Sequence, residues 1–582
     1  MPDLDVTYGR EAVLGLMDSD GVVPAGQVNR DLLVDDPEAA FGVRLDPDAV
    51  EAAFEQVWDA DSVVLVEASD LVRADAYRPF VAPERRTDFL VQALESSDEI
   101  IGRVLEHVDP ETDAVLVVGP YHAGGRTNLS VAGLRRAGLE PGLLRSASVR
   151  RSGFVATVDI APTILELLDV ERPSSMEGRA FERGATGGDA AQRRAFLIEA
   201  NDAARFRDNM VTPVAQAFTI ANVLLFALAV LALTRGQRRS RRIVAFGALA
   251  LLGILPATYL AGMIDFYRYP VGRYWVFLVG VGLLIGALAT VFARRWTDAL
   301  IITLSVILGV QFVDVVLGAP LQLNTVFGYS PTVAGRFAGF GNLAFAQIAG
   351  AAVLLAALVA NRVGGRRGAK VGVGILVFTL AMVGMPVWGS DVGGVLTLVP
   401  TTIVMGMLML GAKVRARTLV WVGVATVAVI GVFATLDLLR PAQSRTHLGR
   451  LVERIVDDGP GALETVVLRK LGANISVLTR SVWTLMVPVL VIFLAVQVWR
   501  SRGRLRAVQA AIPELRAALV GLMIAGGLGF ALNDSGIAVP GLMLGVINGS
   551  LVYLALVVRE PEPPLYVGEE PESDAVSTGI RS

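Results

Sequence analysis

The strongest constraint on how this chain folds is a series of apolar runs between residues 213 and 558. A helix needs about 20 mostly apolar residues to cross a bilayer core of about 30 Å. Eleven such runs follow one another, near 213–234, 243–263, 273–293, 298–318, 339–361, 371–388, 392–411, 417–437, 480–499, 512–531 and 537–558. The sequence therefore predicts an all-α polytopic membrane domain with about 11 transmembrane helices.

The basic residues between these runs predict the orientation of the membrane domain. Arg and Lys concentrate in alternate connections, at 234–242, 293–296, 361–370, 412–417 and 500–506. Connections on the cytoplasmic side of a membrane carry an excess of these two residues. We therefore expect these loops in the cytoplasm together with an acidic, disordered tail at 559–582. Residues 1–212 are then extracytoplasmic.

Composition limits the class of protein and its partners. A hydrophobic fraction of 53% and a mean hydropathy of +0.56 are too high for an ordinary soluble protein. The formal net charge of −3 gives no electrostatic case for binding nucleic acid. The chain has no cysteine, which excludes disulfides and thiolate chemistry. Its excess of Ala, Val, Arg and Gly over Lys is typical of a GC-rich bacterial genome.

Residues 1–212 alternate strand-like and helical segments. The Val-rich segments at 61–70 and 113–119 are typical of buried strands, and 86–108 has helical spacing. This order predicts a βαβ unit and a parallel sheet. Ligands of such sheets bind at the carboxyl ends of the strands. These ends carry Glu67, Ser69, Asp70, Tyr121 and His122.

Two segments of this region resemble the final third of the alkaline phosphatase superfamily. They read VVGPYHAGG at 117–125 and SGFVATVDIAPTILELLDVERPSSMEGRAF at 152–181. The resemblance covers about residues 60–182 and implies an α/β fold. It places His122 on a metal-ligand position, with Tyr121 where the family has an aspartate, and it matches Asp70 to an earlier metal aspartate. The alternative for His122 is a loop histidine without a metal.

We expect this domain to be inactive and incomplete at its N-terminus. A two-metal hydrolytic centre needs many His and Asp ligands, whereas the region has only His107 and His122 as histidines. His107 lies on the predicted helix and is expected at the surface. No apolar strand leads to a Ser or Thr nucleophile near Met1. We therefore expect a first membrane segment and a first strand upstream in the complete protein.

Polar residues beside glycines at the ends of apolar runs predict a functional site. The stretch from Gly335 to Gly394 opens with GRFAGFGN and closes with GSDVGG, and LNDSG follows at 532–536. Polar groups at such positions are costly unless they have partners or face water. The predicted catalytic residues here are Asp391 and Asp534, and the predicted substrate-binding residues are Arg336, Asn342 and Asn533.

The connection at 438–479 is basic although it lies on the predicted outer side. Its two halves have helical spacing, which predicts two amphipathic helices on the outer membrane surface. Arg forks match phosphate geometry, and a histidine beside arginines can transfer a proton. The predicted substrate-binding residues are Arg450, Arg469, Lys470 and Asn474, with His447 as a catalytic residue. The alternative is a solvated loop that binds lipid headgroups.

The predicted domains are therefore 1–212, 213–437 with eight helices, the outer segment 438–479, 480–558 with three helices, and the tail 559–582. Together, the motifs of the membrane domain resemble a group of bacterial multipass proteins with an outer phosphatase-like domain. That group brings no established activity.

Three functions fit these features. The first is a cell-envelope protein that acts on or binds a lipid-linked or phosphate-bearing substrate at the outer leaflet. The second is a transporter or lipid flippase whose N-terminal domain is structural or regulatory. The third is a non-catalytic envelope scaffold. The expected partners are membrane lipids and a lipid-linked envelope precursor.

Overall fold

The structure is a computed structural model, in which most of the chain forms helices. It describes residues 11–18, 20–119, 128–173, 176, 178–332, 339–440, 482–488, 492, 502–533 and 535–558. Short 3₁₀ helices occur at Glu11–Gly15, Arg30–Leu32, Ala40–Gly42, Arg78–Phe80, Pro83–Arg85, Thr157–Asp159, Ala261–Met263, Phe266–Arg268, Pro320–Gln322 and Val482–Leu485.

The described residues of the N-terminal region, 11–189, form four α-helices and six short strands. The helices are α1 (Pro47–Val57), α2 (Asp70–Tyr77), α3 (Arg86–Glu106) and α4 (Ile160–Leu167). The strands are β1 (Leu33–Asp35), β2 (Val43–Leu45), β3 (Val115–Val118), β4 (Ala132–Arg135), β5 (Leu144–Ser146) and β6 (Phe181–Arg183). They pair as three two-stranded antiparallel sheets, β1 with β2, β3 with β4 and β5 with β6.

The structure does not show the predicted parallel α/β sheet. Within the described residues, β3 pairs antiparallel with β4, and residues 61–69 form no strand before α2 begins at Asp70. Strands of a parallel sheet are covered on both faces. Val63 is 39% exposed and Leu65 is 42% exposed, so no second layer covers this segment. The strand predicted at 113–119 is therefore present as β3, whereas the described residues show no strand at 61–69 and no parallel pairing between the two segments.

In the part of the chain that the structure describes, ten helices are long and apolar enough to cross a membrane, which fits a multipass membrane protein. They are α5 (Ala190–Arg235), α6 (Arg238–Leu260), α7 (Val271–Phe292), α8 (Asp298–Val316), α9 (Asn342–Val363), α10 (Gly365–Gly384), α11 (Val392–Met409), α12 (Ala416–Leu438), α14 (Leu515–Leu532) and α15 (Ala538–Val557), with the shorter α13 (Arg502–Ala511) preceding α14. Ten of the eleven predicted runs lie in these helices. The run at 480–499 lies mostly outside the described residues.

Helix α9 is the central helix of the bundle. It packs against α8, α10, α14 and α15, and most of its residues are buried. Small residues such as Ala349, Ala352 and Ala356 let neighbouring backbones approach closely, which is how membrane helices gain packing energy. The core of the bundle therefore surrounds α9.

The N-terminal region contacts one end of this bundle, which we call the proximal end. Arg151 Nη2 donates to the Ala319 carbonyl at 2.6 Å. On the bundle side of the same loop, Arg207 of α5 donates through Nε to the Thr325 carbonyl at 3.2 Å. The loop 317–332 therefore lies between the N-terminal region and the bundle.

Contacts at both ends fix the up-and-down order of the helices. At the proximal end, Asn342 at the start of α9 contacts Ser535 between α14 and α15. At the other end, which we call the distal end, Arg362 at the end of α9 pairs with Asp298 at the start of α8 at 3.0 Å. The basic connections 236–242, 293–296 and 363–370 lie at the distal end. The alternation read from charge therefore matches the order of the helices.

Candidate functional site

Three connections meet at the proximal end of the bundle. The Phe340 amide donates to the Gly389 carbonyl at 3.0 Å, which joins the segment before α9 to the segment before α11. Asn342 Nδ2 donates to Ser535 Oγ at 2.8 Å, which joins α9 to the turn between α14 and α15. Together with Asp391 and Asn533, these polar groups form what we call the proximal cluster: Asn342, Asp391, Asn533 and Ser535.

Asp391 is the N-cap of α11. Its Oδ1 accepts from the Gly394 amide at 3.0 Å, and the residue is only 5% exposed. A carboxylate at this position satisfies a free amide of the first turn and is favoured by the positive end of the helix dipole. The cap therefore holds the carboxylate at the start of α11.

Asn533 lies directly across from the first turn of α11. Its Nδ2 donates to the Gly529 carbonyl at 3.1 Å, one turn back on α14. Its Oδ1 faces Gly393, where an added Cβ would lie 2.7 Å from this oxygen and 3.5 Å from Asp391 Oδ1. Glycine at 393 therefore lets the amide of Asn533 and the carboxylate of Asp391 lie against the same point of the backbone.

The loop before Asp391 is held in an unusual conformation. Ser390 has a φ of 51°, in the left-handed region that non-glycine residues seldom adopt. Its Oγ donates to the Pro386 carbonyl at 2.7 Å. Strained backbone of this kind concentrates at ligand sites.

Asp437 and Arg440 support this loop and were not predicted from the sequence. Arg440 Nη1 donates to the Pro386 carbonyl at 3.2 Å and to Asp437 Oδ1 at 3.3 Å. Asp437 is fully buried at the end of α12. The available signal was an acid and a base three residues apart at the end of an apolar run, since such pairs meet on one helix face.

The proximal cluster combines donors, a carboxylate and two helix N-termini. Helices α9 and α11 both begin there, at Asn342 and Val392. Free amides and the helix dipole make a helix N-terminus attractive to anions. The side chains of Asn342, Asn533 and Ser535 add amide and hydroxyl groups. Such a site suits an oxyanion beside a hydroxyl group, with Asp391 facing the hydroxyl.

The structure thus brings together three of the predicted site residues, Asn342, Asp391 and Asn533. The remaining predicted residues of the membrane domain lie outside the described ranges: Arg336, His447, Arg450, Arg469, Lys470, Asn474 and Asp534. Their roles stay predictions. Ser535 was not among the predicted site residues, although the LNDSG motif contains it.

Asp70, a predicted metal ligand, ties three elements of the N-terminal region together. Its carboxylate accepts from the Leu45 amide at 3.0 Å, from Ser96 Oγ at 2.5 Å and from the guanidinium of Arg73. Buried carboxylates with this many donors are structural. His122, the predicted second ligand, lies outside the described residues, so the metal site stays a prediction.

His107 links α3 to α1. Its Nε2 lies 2.8 Å from Glu51 Oε1. The hydrogen bond to Glu51 raises the pKa of His107, and the same bond lowers the pKa of Glu51. This histidine therefore holds two helices together, away from the proximal cluster.

Comparison of the chain with known protein families, curated proteins and solved structures finds no match.

Proposed function

We propose that this protein is a bacterial cell-envelope membrane protein whose proximal cluster binds the phosphate-bearing head of a lipid-linked substrate at the outer leaflet. The observation that carries the proposal is the convergence of two helix N-termini, two asparagines and a buried carboxylate at one end of the bundle. Phosphate oxygens suit the N-termini and the amides.

The position of the cluster supports a substrate that enters from the proximal side. The N-terminal region contacts the loop 317–332 at this same end, and Tyr329 of that loop lies beside Gly341, just before α9. The predicted orientation puts this end outside the cytoplasm. A head group bound in the cluster therefore lies between the bundle and the N-terminal region.

A site at one end is favoured over a path through the bundle. Beyond Gln347, the buried face of α9 consists of Ala, Val, Ile, Leu and Gly from residue 348 to 358. These side chains pack into the main apolar core. A polar substrate has no polar groups to follow along this part of α9, which supports an enzyme or a binding protein.

The alternative is a transporter or flippase, and one feature favours it. Proline residues lie inside three of the described spanning helices, Pro213 in α5, Pro256 in α6 and Pro400 in α11. Interrupted helices are typical of transporters. Flux of a labelled lipid across proteoliposome membranes, with the transport rate unaffected by Asp391→Asn, would support this alternative.

The experiment separates the chemistry of Asp391 from its capping role. Asparagine is as good an N-cap as aspartate, whereas alanine costs about 0.5–2 kcal/mol. We expect Asp391→Asn to fold with wild-type stability yet cause lipid-linked precursors to accumulate in extracts of the host cells. Asp391→Ala should show the same accumulation and a lower melting temperature.

Asp265→Asn is the matched control, because Asp265 is an exposed acid at the same end, paired with Arg268. It should leave the lipid profile unchanged. A wild-type lipid profile in both Asp391 variants overturns the proposal.

A further inference from the structure

A large cavity lies beside β4 in the N-terminal region. It has a volume of about 1070 Å³, and its walls include residues 139–144, residues 153–158 and the first turns of α5. Seven consecutive residues in and around β4, 130–136, also line it. Successive side chains of a strand point to opposite faces of the sheet. A cavity that touches all seven residues therefore runs along the edge of the strand.

The pairing of β4 with β3 shows which backbone groups face this cavity. The Gly119 amide donates to the Val131 carbonyl at 2.9 Å, in register with the antiparallel ladder of β3 and β4. Residues that exchange hydrogen bonds alternate along an antiparallel pair. Val131 and every second residue after it therefore bond to the β3 side. Ala132 and Leu134 turn their N–H and C=O groups to the opposite edge.

This opposite edge has no partner in the part of the chain that the structure describes. There β3 is the one strand that pairs with β4, and no hydrogen bond reaches Ala132 or Leu134 from the cavity. A row of unpaired N–H and C=O groups is a template for another strand. The edge therefore suits an extended peptide, whose own backbone satisfies both donors and acceptors.

Apolar side chains of the cavity are left uncovered. Val131 is 71% exposed, and Leu197 and Ile198 of α5 are 44% and 57% exposed. All three line the cavity. A strand presents every second side chain to the same face. An added strand with apolar residues at alternate positions therefore covers this surface.

The charge of the cavity indicates the remaining side chains of such a strand. Glu140 is the one acid among the described lining residues. Five arginines also line the cavity: Arg135, Arg136, Arg183, Arg193 and Arg194. Within the described ranges none of the five forms an ion pair, and Arg183 and Arg193 donate only to backbone carbonyls and a hydroxyl. Guanidinium groups match the geometry of carboxylates.

We propose that this cavity is the docking site for an acidic, extended segment of a partner protein, which adds to the free edge of β4 as a strand. Its backbone pairs with Ala132 and Leu134, its apolar side chains cover Val131, and its carboxylates pair with the arginines. The predicted orientation of the membrane domain places this partner outside the cytoplasm. The site does not depend on the function proposed for the proximal cluster.

The test is binding of a fluorescent octapeptide of alternating valine and glutamate to the full chain in phosphatidylcholine nanodiscs, measured by anisotropy. We expect saturable binding to the wild type. The same peptide with methylated backbone nitrogens keeps every side chain and loses its N–H donors. It should bind at least about tenfold more weakly, since each lost hydrogen bond costs a few-fold in affinity. An octapeptide of alternating valine and lysine should not bind.

Ala132→Pro tests the same backbone contact from the side of the protein. Proline removes an N–H that faces the cavity and leaves the bonds to β3 in place, which is where a strand tolerates it. Binding of the valine–glutamate peptide should weaken by about fivefold. If this variant does not fold, the methylated peptide still tests the contact on the wild type.

A double variant, Arg135→Gln with Arg194→Gln, tests the charge of the cavity. Binding of the valine–glutamate peptide should weaken by about tenfold or more, because hydrogen bonds to charged groups are the stronger ones. The matched control is Arg30→Gln with Arg85→Gln, which changes the net charge equally at arginines outside the lining. It should bind the peptide as the wild type does.

Three results overturn the proposal. They are the absence of saturable binding by the wild type, equal affinity for the methylated peptide, and equal losses in the two double variants. Saturable binding of a short-chain phosphatidic acid with no binding of the peptide also overturns it, because the occupant is then an anionic lipid.

Discussion

At the scale of single residues, the carboxylates of this chain divide by what surrounds them. Asp70 is buried among three donors and holds the N-terminal region together. Asp391 caps a helix beside other polar side chains. Asp314 lies near the end of α8, where two neutral groups donate to it and Arg151 interacts with it electrostatically. Sequence alone shows three acids at the edges of apolar segments. Only the partners separate a structural acid from a candidate for binding.

The His107–Glu51 bond predicts a pH dependence of local stability. Because the pKa of His107 is raised in the folded protein, His107 contributes to stability fully below its unfolded pKa. This contribution is lost as the pH rises through the pKa of the folded state. Because the pKa of Glu51 is lowered in the folded protein, Glu51 contributes to stability fully above its unfolded pKa. This contribution is lost as the pH falls through the pKa of the folded state. The bond therefore stabilises most between about pH 4.5 and 6.5.

Hydrogen exchange of α1 measures this dependence. Compared at each pH with His107→Gln, the wild type should show its largest extra protection near pH 5.5. This protection should shrink by pH 8. A difference between the two proteins that does not change with pH contradicts the assignment.

At the scale of elements, the joint between the segments before α9 and α11 needs glycine. Gly339 has a φ of +80°, and a Cβ built there would lie 2.0 Å from the Gly389 carbonyl oxygen. Gly364, at the distal end, has nearly the same φ of +81° with nothing within 4 Å. Both positions have a positive φ that strains a substituted side chain, and only Gly339 also has the close contact.

Alanine substitutions at the two glycines separate strain from packing. Gly364→Ala should cost about 1–3 kcal/mol, because its φ of 81° and ψ of 156° lie in a region that is essentially restricted to glycine. Gly339→Ala should cost about 1–3 kcal/mol more because it overpacks the joint. Melting temperatures of the two variants provide the measurement. Equal destabilisation would show that the segments before α9 and α11 are not joined as described.

The elements that could be predicted are those set by local pattern. Ten apolar runs predicted ten helices because burial in a bilayer depends on composition over about 20 residues. The N-terminal region was harder, since strand pairing depends on neighbours distant in sequence. The segment at 61–69 has the composition of a strand and no ladder in the described structure.

The candidate site was predictable in part for the same reason. The sequence pattern of the site is local, because polar residues lie near glycines at the ends of apolar runs: Asn342, Asp391 and Asn533. Asp437 and Gln322 do not show this sequence pattern. Their importance comes from contacts with Arg440 and Asp314, which only the folded chain provides.

At the scale of the whole molecule, the polar side chains described above lie toward one end of the bundle. The proximal cluster, the hydrogen bonds of Asp314 and the contacts with the N-terminal region all lie toward the proximal end. The basic connections lie toward the distal end. Because cytoplasmic connections carry an excess of Arg and Lys, the proximal end is predicted to be extracytoplasmic.

Single cysteines test this orientation without background, because the chain has no cysteine of its own. A membrane-impermeant maleimide should label Asp265→Cys, at the proximal end, in intact cells. Arg239→Cys, at the distal end, should react only after the membrane is opened. The reverse pattern of labelling would place the proximal cluster in the cytoplasm.

Binding of a polyprenyl diphosphate to the full chain in nanodiscs tests the central claim most directly. The wild type should bind saturably, with Asp265→Asn as the matched control at wild-type affinity. Asn342→Ala and Asn533→Ala should each weaken binding by about tenfold, the loss of one hydrogen bond to a charged group at about 1.4 kcal/mol. Wild-type affinity in both asparagine variants, or no saturable binding by the wild type, would contradict the assignment of the proximal cluster as the substrate site.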